Sequence, residues 1–202
     1  MTRHRIRNLA LGLVSLLCLA FTGGVVATLI LKPEAFRSAI GGPFALENPE
    51  GQRVTEASYR GRFMMIYFGY TYCPDVCPTR LQEMTLALEA LEAQAPALAA
   101  RITPVFITVD PRRDTHEALR AYAAHFHPRL EALRGSEAEV GEVIRAFQGY
   151  VNYVPQAEGA DYLVDHTAYV YVMGPDGAYV THFTAFDDET EMTARLAGLA
   201  GD

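Results

Sequence analysis

Phe63-Met-Met-Ile-Tyr-Phe68 is an unbroken apolar run with no residue suited to a solvated face. A strand of that composition must be buried on both sides, which is the habit of strands inside an α/β sheet. Val105-Phe-Ile-Thr-Val109 is a second run of the same kind. Between them, Leu81, Met84, Leu88 and Leu91 recur at helical spacing and stop before Pro96. The chain is therefore built around a strand–helix–strand unit.

The remaining signals extend that unit. Phe44-Ala-Leu46 and Gln52-Arg-Val-Thr55 flank Asn48-Pro-Glu-Gly51 and predict a small N-terminal hairpin. Helical spacing returns at Ala118, Leu119, Tyr122 and Phe126, and again at Val140, Val143, Ile144 and Phe147. Ala168–Met173 and Ala178–Phe183 surround Gly174-Pro-Asp-Gly177, a strong turn signal, and predict a second hairpin. Met192, Leu196 and Leu199 mark a closing helix. This order predicts one α/β domain over residues 41–202, a thioredoxin-like sheet flanked by helices.

The chain begins differently. Residues 1–8 are short and basic, and from Leu9 to Leu31 no residue carries a formal charge. As a helix that stretch would run about 35 Å, enough to cross a hydrocarbon core. Arg3, Arg5 and Arg7 precede it. The inside-positive bias thus predicts a cytoplasmic N-terminus, a single transmembrane anchor over 9–31, a linker over 32–40 and an exported, periplasmic domain. A cleaved leader with a small-residue site at Val25-Val26-Ala27 is the competing reading. The formal net charge is −7 despite those N-terminal arginines, so the domain is acidic and nucleic acid is a poor partner.

Three cysteines, at 18, 73 and 77, are too few for a disulfide scaffold. Cys18 lies in the apolar stretch and reads as a packing residue. Cys73-Pro-Asp-Val-Cys77-Pro78 follows the first buried strand directly, at the carboxyl end where α/β proteins place their ligand sites. Each cysteine precedes a proline, which biases it away from helical backbone. Pro78 is suited to the first helical position, leaving Cys77 at the cap. Orphan N–H groups and the positive end of the helix dipole then predict a depressed pKa for at least one thiol. A buried pair or a structural disulfide is the plainer alternative.

His166 stands in Asp161-Tyr-Leu-Val-Asp-His-Thr167, just before the hairpin strand at 168–173. Alone it reads as a hydrogen-bonded structural residue. In thioredoxin-like oxidoreductases a proline precedes this strand and lies against the cysteine motif; here His166-Thr167 takes its place. That placement would bring an imidazole beside Cys73 and Cys77. Two thiolates and one imidazole form a soft, three-ligand site suited to Cu(I), with Cu(II) as a further state. Structural zinc prefers four ligands. Met64 and Met65 read as core, and Asp165, which should face away from its strand neighbour, is a weak candidate to orient the site.

Gly-Tyr-Thr-Tyr-Cys-Pro-Asp-Val-Cys-Pro at 69–78, Val-Asp-Pro-Arg-Arg-Asp-Thr at 109–115 and Tyr-Leu-Val-Asp-His-Thr at 162–167 together resemble the SCO/SenC family of copper-binding proteins. Gly-Gly-Pro-Phe at 41–44 and Gly-Pro-Asp-Gly at 174–177 add to the likeness. The resemblance implies a membrane-anchored thioredoxin-like domain that delivers copper to the binuclear CuA centre of cytochrome c oxidase subunit II. Other periplasmic copper carriers are further implied partners. The ligand roles fall on Cys73, Cys77 and His166, and the 109–115 segment is assigned to loop structure. Ala146-Phe-Gln-Gly-Tyr150 and the acidic Phe186-Asp-Asp-Glu-Thr190 depart from the family's pattern.

Three other functions compete. A membrane-anchored thiol–disulfide oxidoreductase acting on the CuA cysteines would use Cys73 and Cys77 as its redox pair. Three residues between the cysteines and the missing proline disfavour a general enzyme of that kind. A peroxiredoxin-like peroxidase would want a hydroxyl residue ahead of a single cysteine, and Thr71 lies only two positions before Cys73. A copper-responsive sensor is the third.

Overall fold

The computed structural model describes residues 40–156 and 161–201. The basic segment 1–8, the 9–31 stretch with Cys18, and the linker up to residue 39 lie outside the described residues. No described helix is long and apolar enough to cross a membrane.

Five strands form the central sheet, which runs from Glu131–Leu133 at one edge through Ile102–Thr108, Phe63–Gly69 and Val170–Met173 to Tyr179–Phe183 at the other. Its middle strand, β3 (Phe63–Gly69), is the first apolar run, and all seven residues are buried. It pairs in parallel with β4 (Ile102–Thr108), from Phe63 opposite Ile102 to Gly69 opposite Thr108. On its other side it pairs antiparallel with β8 (Val170–Met173). β5 (Glu131–Leu133) adds to β4 in parallel, and β9 (Tyr179–Phe183) closes the far edge. The β8–β9 turn matches its Gly-Pro-Asp-Gly signal: Gly177 takes φ +75°, a conformation that side chains with a Cβ resist, and Gly174 N–H donates to Ala178 O.

Strand alternation sends Tyr67 and Phe68 to opposite faces of the sheet. Phe68 meets the ring of Phe147 at 5.3 Å, at the end of α4 (Glu137–Ala146). Tyr67 lies on the side covered by α1 (Val76–Gln94), which packs against the closing helix α5 (Glu189–Ala197). Both faces are thus covered, as the polar-free run requires. Each fully buried Phe, Met or Ile in β3 contributes on the order of 1.5–3 kcal/mol.

The N-terminal hairpin, β1 (Ala45–Glu47) with β2 (Arg53–Thr55), docks beside β5 through reciprocal backbone bonds between Glu47 and Arg134. Short helices α2 (Pro96–Ala99) and α3 (His116–Ala123) complete the connections. The fold also contains an antiparallel pair outside the main sheet, β6 (Val151–Val154) with β7 (Leu163–His166). His166 therefore ends a strand of its own and is followed by a three-residue link to β8.

Candidate metal centre

The centre begins where β3 stops. Residues 70–75 form the loop out of the strand, and α1 starts at Val76. Cys73 sits half-buried on this loop, while Cys77 is fully buried in the first turn of α1. Cys77 does not take the cap position that the sequence predicts: the helix begins before it, with Asp75 at the N-cap. The reason is that first-turn N–H groups have no carbonyl partner within a helix, so Pro78 sacrifices no hydrogen bond there. Asp75 makes no side-chain cap. Instead the Cys77 N–H donates to Cys73 Sγ at 3.4 Å, so a sulfur takes the place of a capping oxygen.

Gly69 makes room for this arrangement. A Cβ on it would lie 2.8 Å from Phe106 Cε2 and 3.0 Å from Cys77 Sγ. The strand end and the buried sulfur can approach only because that position has no side chain.

The third group arrives from the end of β7. His166 Nε2 lies 3.3 Å from Cys77 Sγ, across 89 positions of sequence. Its Nδ1 is 3.1 Å from the backbone oxygen of Thr167. A carbonyl can only accept, so this contact holds the proton on Nδ1 and leaves the Nε2 lone pair facing the sulfurs. Tyr67 and Tyr70 stand edge-on to the imidazole, with centroids 6.1 and 5.9 Å away. The ligand atoms of Cys73, Cys77 and His166 all fall within 4.8 Å of one another. They are the one such His/Cys/Asp/Glu group among the described residues able to hold a metal ion.

The two thiols differ. The Cys73 pKa is held far below the ordinary thiol range, first by hydrogen bonding from Cys77, and further by the N–H groups of Asp75 and Cys77, against the opposing effect of burial. Cys77 is pushed upward by its bond to Cys73 and by burial. The metal-free pair thus shares one proton, kept on the inner sulfur, and presents a thiolate on the outer one. This is the expected depressed thiol, on Cys73.

The other candidates stay away. His116 pairs with Glu47 at 3.2 Å, His125 is exposed, and buried His127 lies 3.3 Å from Glu92. His182 stacks on Tyr169. His4 is outside the described residues. Asp165 is exposed, as strand alternation required, and Met64 and Met65 are core. The 109–115 segment is loop structure, as expected, yet it reaches the site. Buried Asp114 accepts from Thr71 N–H at 3.0 Å and from Thr71 Oγ1 at 2.6 Å, two residues before Cys73. The available signal was two aspartates and two arginines directly after a core strand, where a carboxylate needs partners to stay buried.

The comparisons with known proteins agree with this geometry. The SCO1/SenC family model matches residues 32–201. The chain is similar to the human mitochondrial protein SCO1 homolog, with 40% identity over 158 residues, 78% of this chain and 52% of that protein. The match therefore spans about half the length of that relative. It is also similar to the SCO2-like protein RP587 of Rickettsia prowazekii (strain Madrid E), 39% identical over 145 residues, 71% of this chain and 69% of that one. Among solved structures, copper-bound ScoI of Bradyrhizobium japonicum is 42% identical with a TM-score of 0.70, covering 79% of this chain and 98% of that one. Copper-bound ScoI of Arabidopsis thaliana is 35% identical with a TM-score of 0.75, covering 81% and 99%. With that match, on a thioredoxin-like mixed sheet flanked by helices, the chain belongs to the SCO1/SenC family.

Proposed function

We propose that this domain carries copper, as Cu(I), on Cys73, Cys77 and His166, and delivers it to the CuA centre of cytochrome c oxidase subunit II. The observation that carries the reading is the convergence of two sulfurs and an imidazole nitrogen within 4.8 Å. Soft sulfur donors favour Cu(I), and three ligands leave room for an incoming thiolate. Delivery is then ligand exchange: an acceptor cysteine adds to the ion as one of the carrier's ligands leaves. Cys73, on the half-buried loop, is the carrier sulfur the acceptor reaches first. Tyr72 and Val76, both exposed, give that rim apolar surface for docking. Copper-bound relatives of 35% and 42% identity support the same assignment.

The reading includes the anchor. The uncharged 9–31 stretch spans the inner membrane once, with residues 1–8 cytoplasmic, 32–40 as linker, and the domain from residue 41 in the periplasm. The domain thus works near the membrane, where subunit II and other periplasmic copper carriers are in reach.

A second reading rests on the Cys73 thiolate. A partly exposed thiolate beside a second cysteine is also fitted for thiol–disulfide exchange with the CuA cysteines. Cu(I) affinity of the reduced full chain, measured by competition with a chromophoric chelator, separates the two. His166→Ala should weaken binding on the order of 100-fold or more with the fold retained. Wild-type affinity in that variant would reject the three-ligand carrier, and efficient turnover of a model disulfide by it would favour the exchange reading.

A further inference from the structure

We infer that the Asp110–Asp114 turn is the positioning element of the metal centre, holding the sulfur loop with one aspartate and the histidine strand with the other. The turn follows β4 and is itself pinned from outside. Arg134 donates to Pro111 O at 2.9 Å and to Asp114 O at 3.0 Å. Asp110 and Asp114 are both fully buried.

Asp114 serves the sulfurs. Besides its two bonds to Thr71 it accepts from Thr108 Oγ1 at 2.5 Å, so the loop bearing Cys73 is tied to the end of β4. Asp110 serves the imidazole. It accepts from Tyr162 Oη at 2.7 Å, and Tyr162 stands four residues before His166. Arg113 joins the two arms. It pairs with Asp110, donates from Nη1 to Tyr162 O at 2.9 Å, and lays its guanidinium 3.7 Å from the Tyr162 ring centroid. The same guanidinium lies 4.9 Å from the ring of Tyr72 and 5.7 Å from that of Tyr70, both on the sulfur loop.

The two halves of the site come from distant parts of the chain and meet directly where Val164 N–H donates to Tyr70 Oη at 3.3 Å. That single long bond leaves their spacing to the body to which both are also fastened. Here that body is a five-residue turn with two buried carboxylates and an arginine whose charge partners and ring contacts hold it in one orientation. Asp110, Arg113 and Asp114 touch no ligand atom, so they act through Tyr162 and Thr71.

The inference rests on the copper reading, and the test separates them. Tyr162→Phe removes one hydroxyl from the histidine arm and keeps the ring over Arg113. Thr71→Val removes one hydroxyl from the sulfur arm. Each is made in the full chain, alone and with His166→Ala, and Cu(I) affinity is measured by chelator competition. Outer partners of this kind alter metal affinity on the order of tenfold. Tyr162→Phe should weaken binding to that extent in the wild-type background and have no effect beside His166→Ala. Thr71→Val should weaken binding in both backgrounds. In metal-free protein, the ring-proton resonances of His166 should shift in Tyr162→Phe and stay in place in Thr71→Val. Equal loss from Tyr162→Phe in both backgrounds, or no loss in either, overturns the positioning role. If His166→Ala itself leaves affinity unchanged, the copper reading falls and takes this inference with it.

Discussion

Nε2 of His166 and Sγ of Cys77 lie 3.3 Å apart across 89 positions of sequence. Cys77 is set by the first turn of α1, His166 by the end of β7. The sulfur is fully buried and the imidazole only partly so. The contact therefore has a fixed side and an adjustable one. An ion entering here meets a buried thiol inside, a thiolate on the loop, and an imidazole on a two-stranded ribbon that borders the main sheet.

The unequal thiols give a direct measurement. In reduced, metal-free protein, Cys73 should alkylate rapidly with iodoacetamide while Cys77 stays unmodified until unfolding. A thiol of ordinary pKa gains reactivity about tenfold per pH unit below roughly 8.5. Cys73, with its pKa held far lower, should react at a nearly constant rate from pH 6 to 8. Because the largest lowering influence is the hydrogen bond from Cys77, Cys77→Ala should restore a pH-dependent rate. Mass spectrometry finding Cys77 labelled as fast as Cys73 would sink the assignment of the shared proton.

Gly69→Ala tests the space around the inner sulfur. The added methyl would meet Phe106 and Cys77 Sγ at 2.8 and 3.0 Å, and Tyr67 at 3.0 Å. All three are buried in the core, so none yields easily. Overpacking of this kind costs about 1–3 kcal/mol. We expect a lower denaturant midpoint and a weakened Cu(I) complex, because displacement of the sulfur is the simplest relief. Wild-type values for both in Gly69→Ala would mean that the strand end has slack the packing does not suggest.

The buried strands 63–68 and 105–109, both hairpins and the closing helix could be read from sequence because each is dominated by one strong signal. Polar-free runs have no alternative to a doubly covered sheet, and Gly-Pro-Asp-Gly has few alternatives to a turn. The β6–β7 pair carries no such signal. Val151–Val154 and Leu163–His166 are short and largely half-exposed, and eight residues separate them without a compact turn motif. Their pairing is a tertiary outcome, so His166 was expected just ahead of β8 rather than at the end of a strand. Cys77 enters the helix although it precedes Pro78, because the steric bias against helical backbone before proline is only a preference and Pro78, in the first turn, gives up no intrahelical hydrogen bond. The contact of Asp114 with Thr71 was out of reach for a third reason, since 43 positions separate them and neither lies on a periodic pattern.

The stability of the fold should also depend on pH through Asp114. Burial raises its pKa above the ordinary carboxyl value, against the lowering influence of its bonds from Thr108 and Thr71. A group whose folded pKa is raised stabilises the fold fully below its unfolded pKa, about 3.9, and loses that contribution as pH rises through the folded value. At neutral pH the ionised carboxylate is therefore less favourable to the fold than its protonated form. Asp114→Asn cannot titrate, yet its oxygen can accept from Thr71 N–H and Thr108 while its amide donates to Thr71 Oγ1. The unfolding free energy of wild type relative to Asp114→Asn should increase as pH falls from 7 and level off below about 4. Chemical denaturation of both proteins at several pH values measures this difference. A wild type that instead loses ground to the variant on acidification would mean that the hydrogen bonds from Thr71 and Thr108 outweigh burial, with the Asp114 pKa lowered.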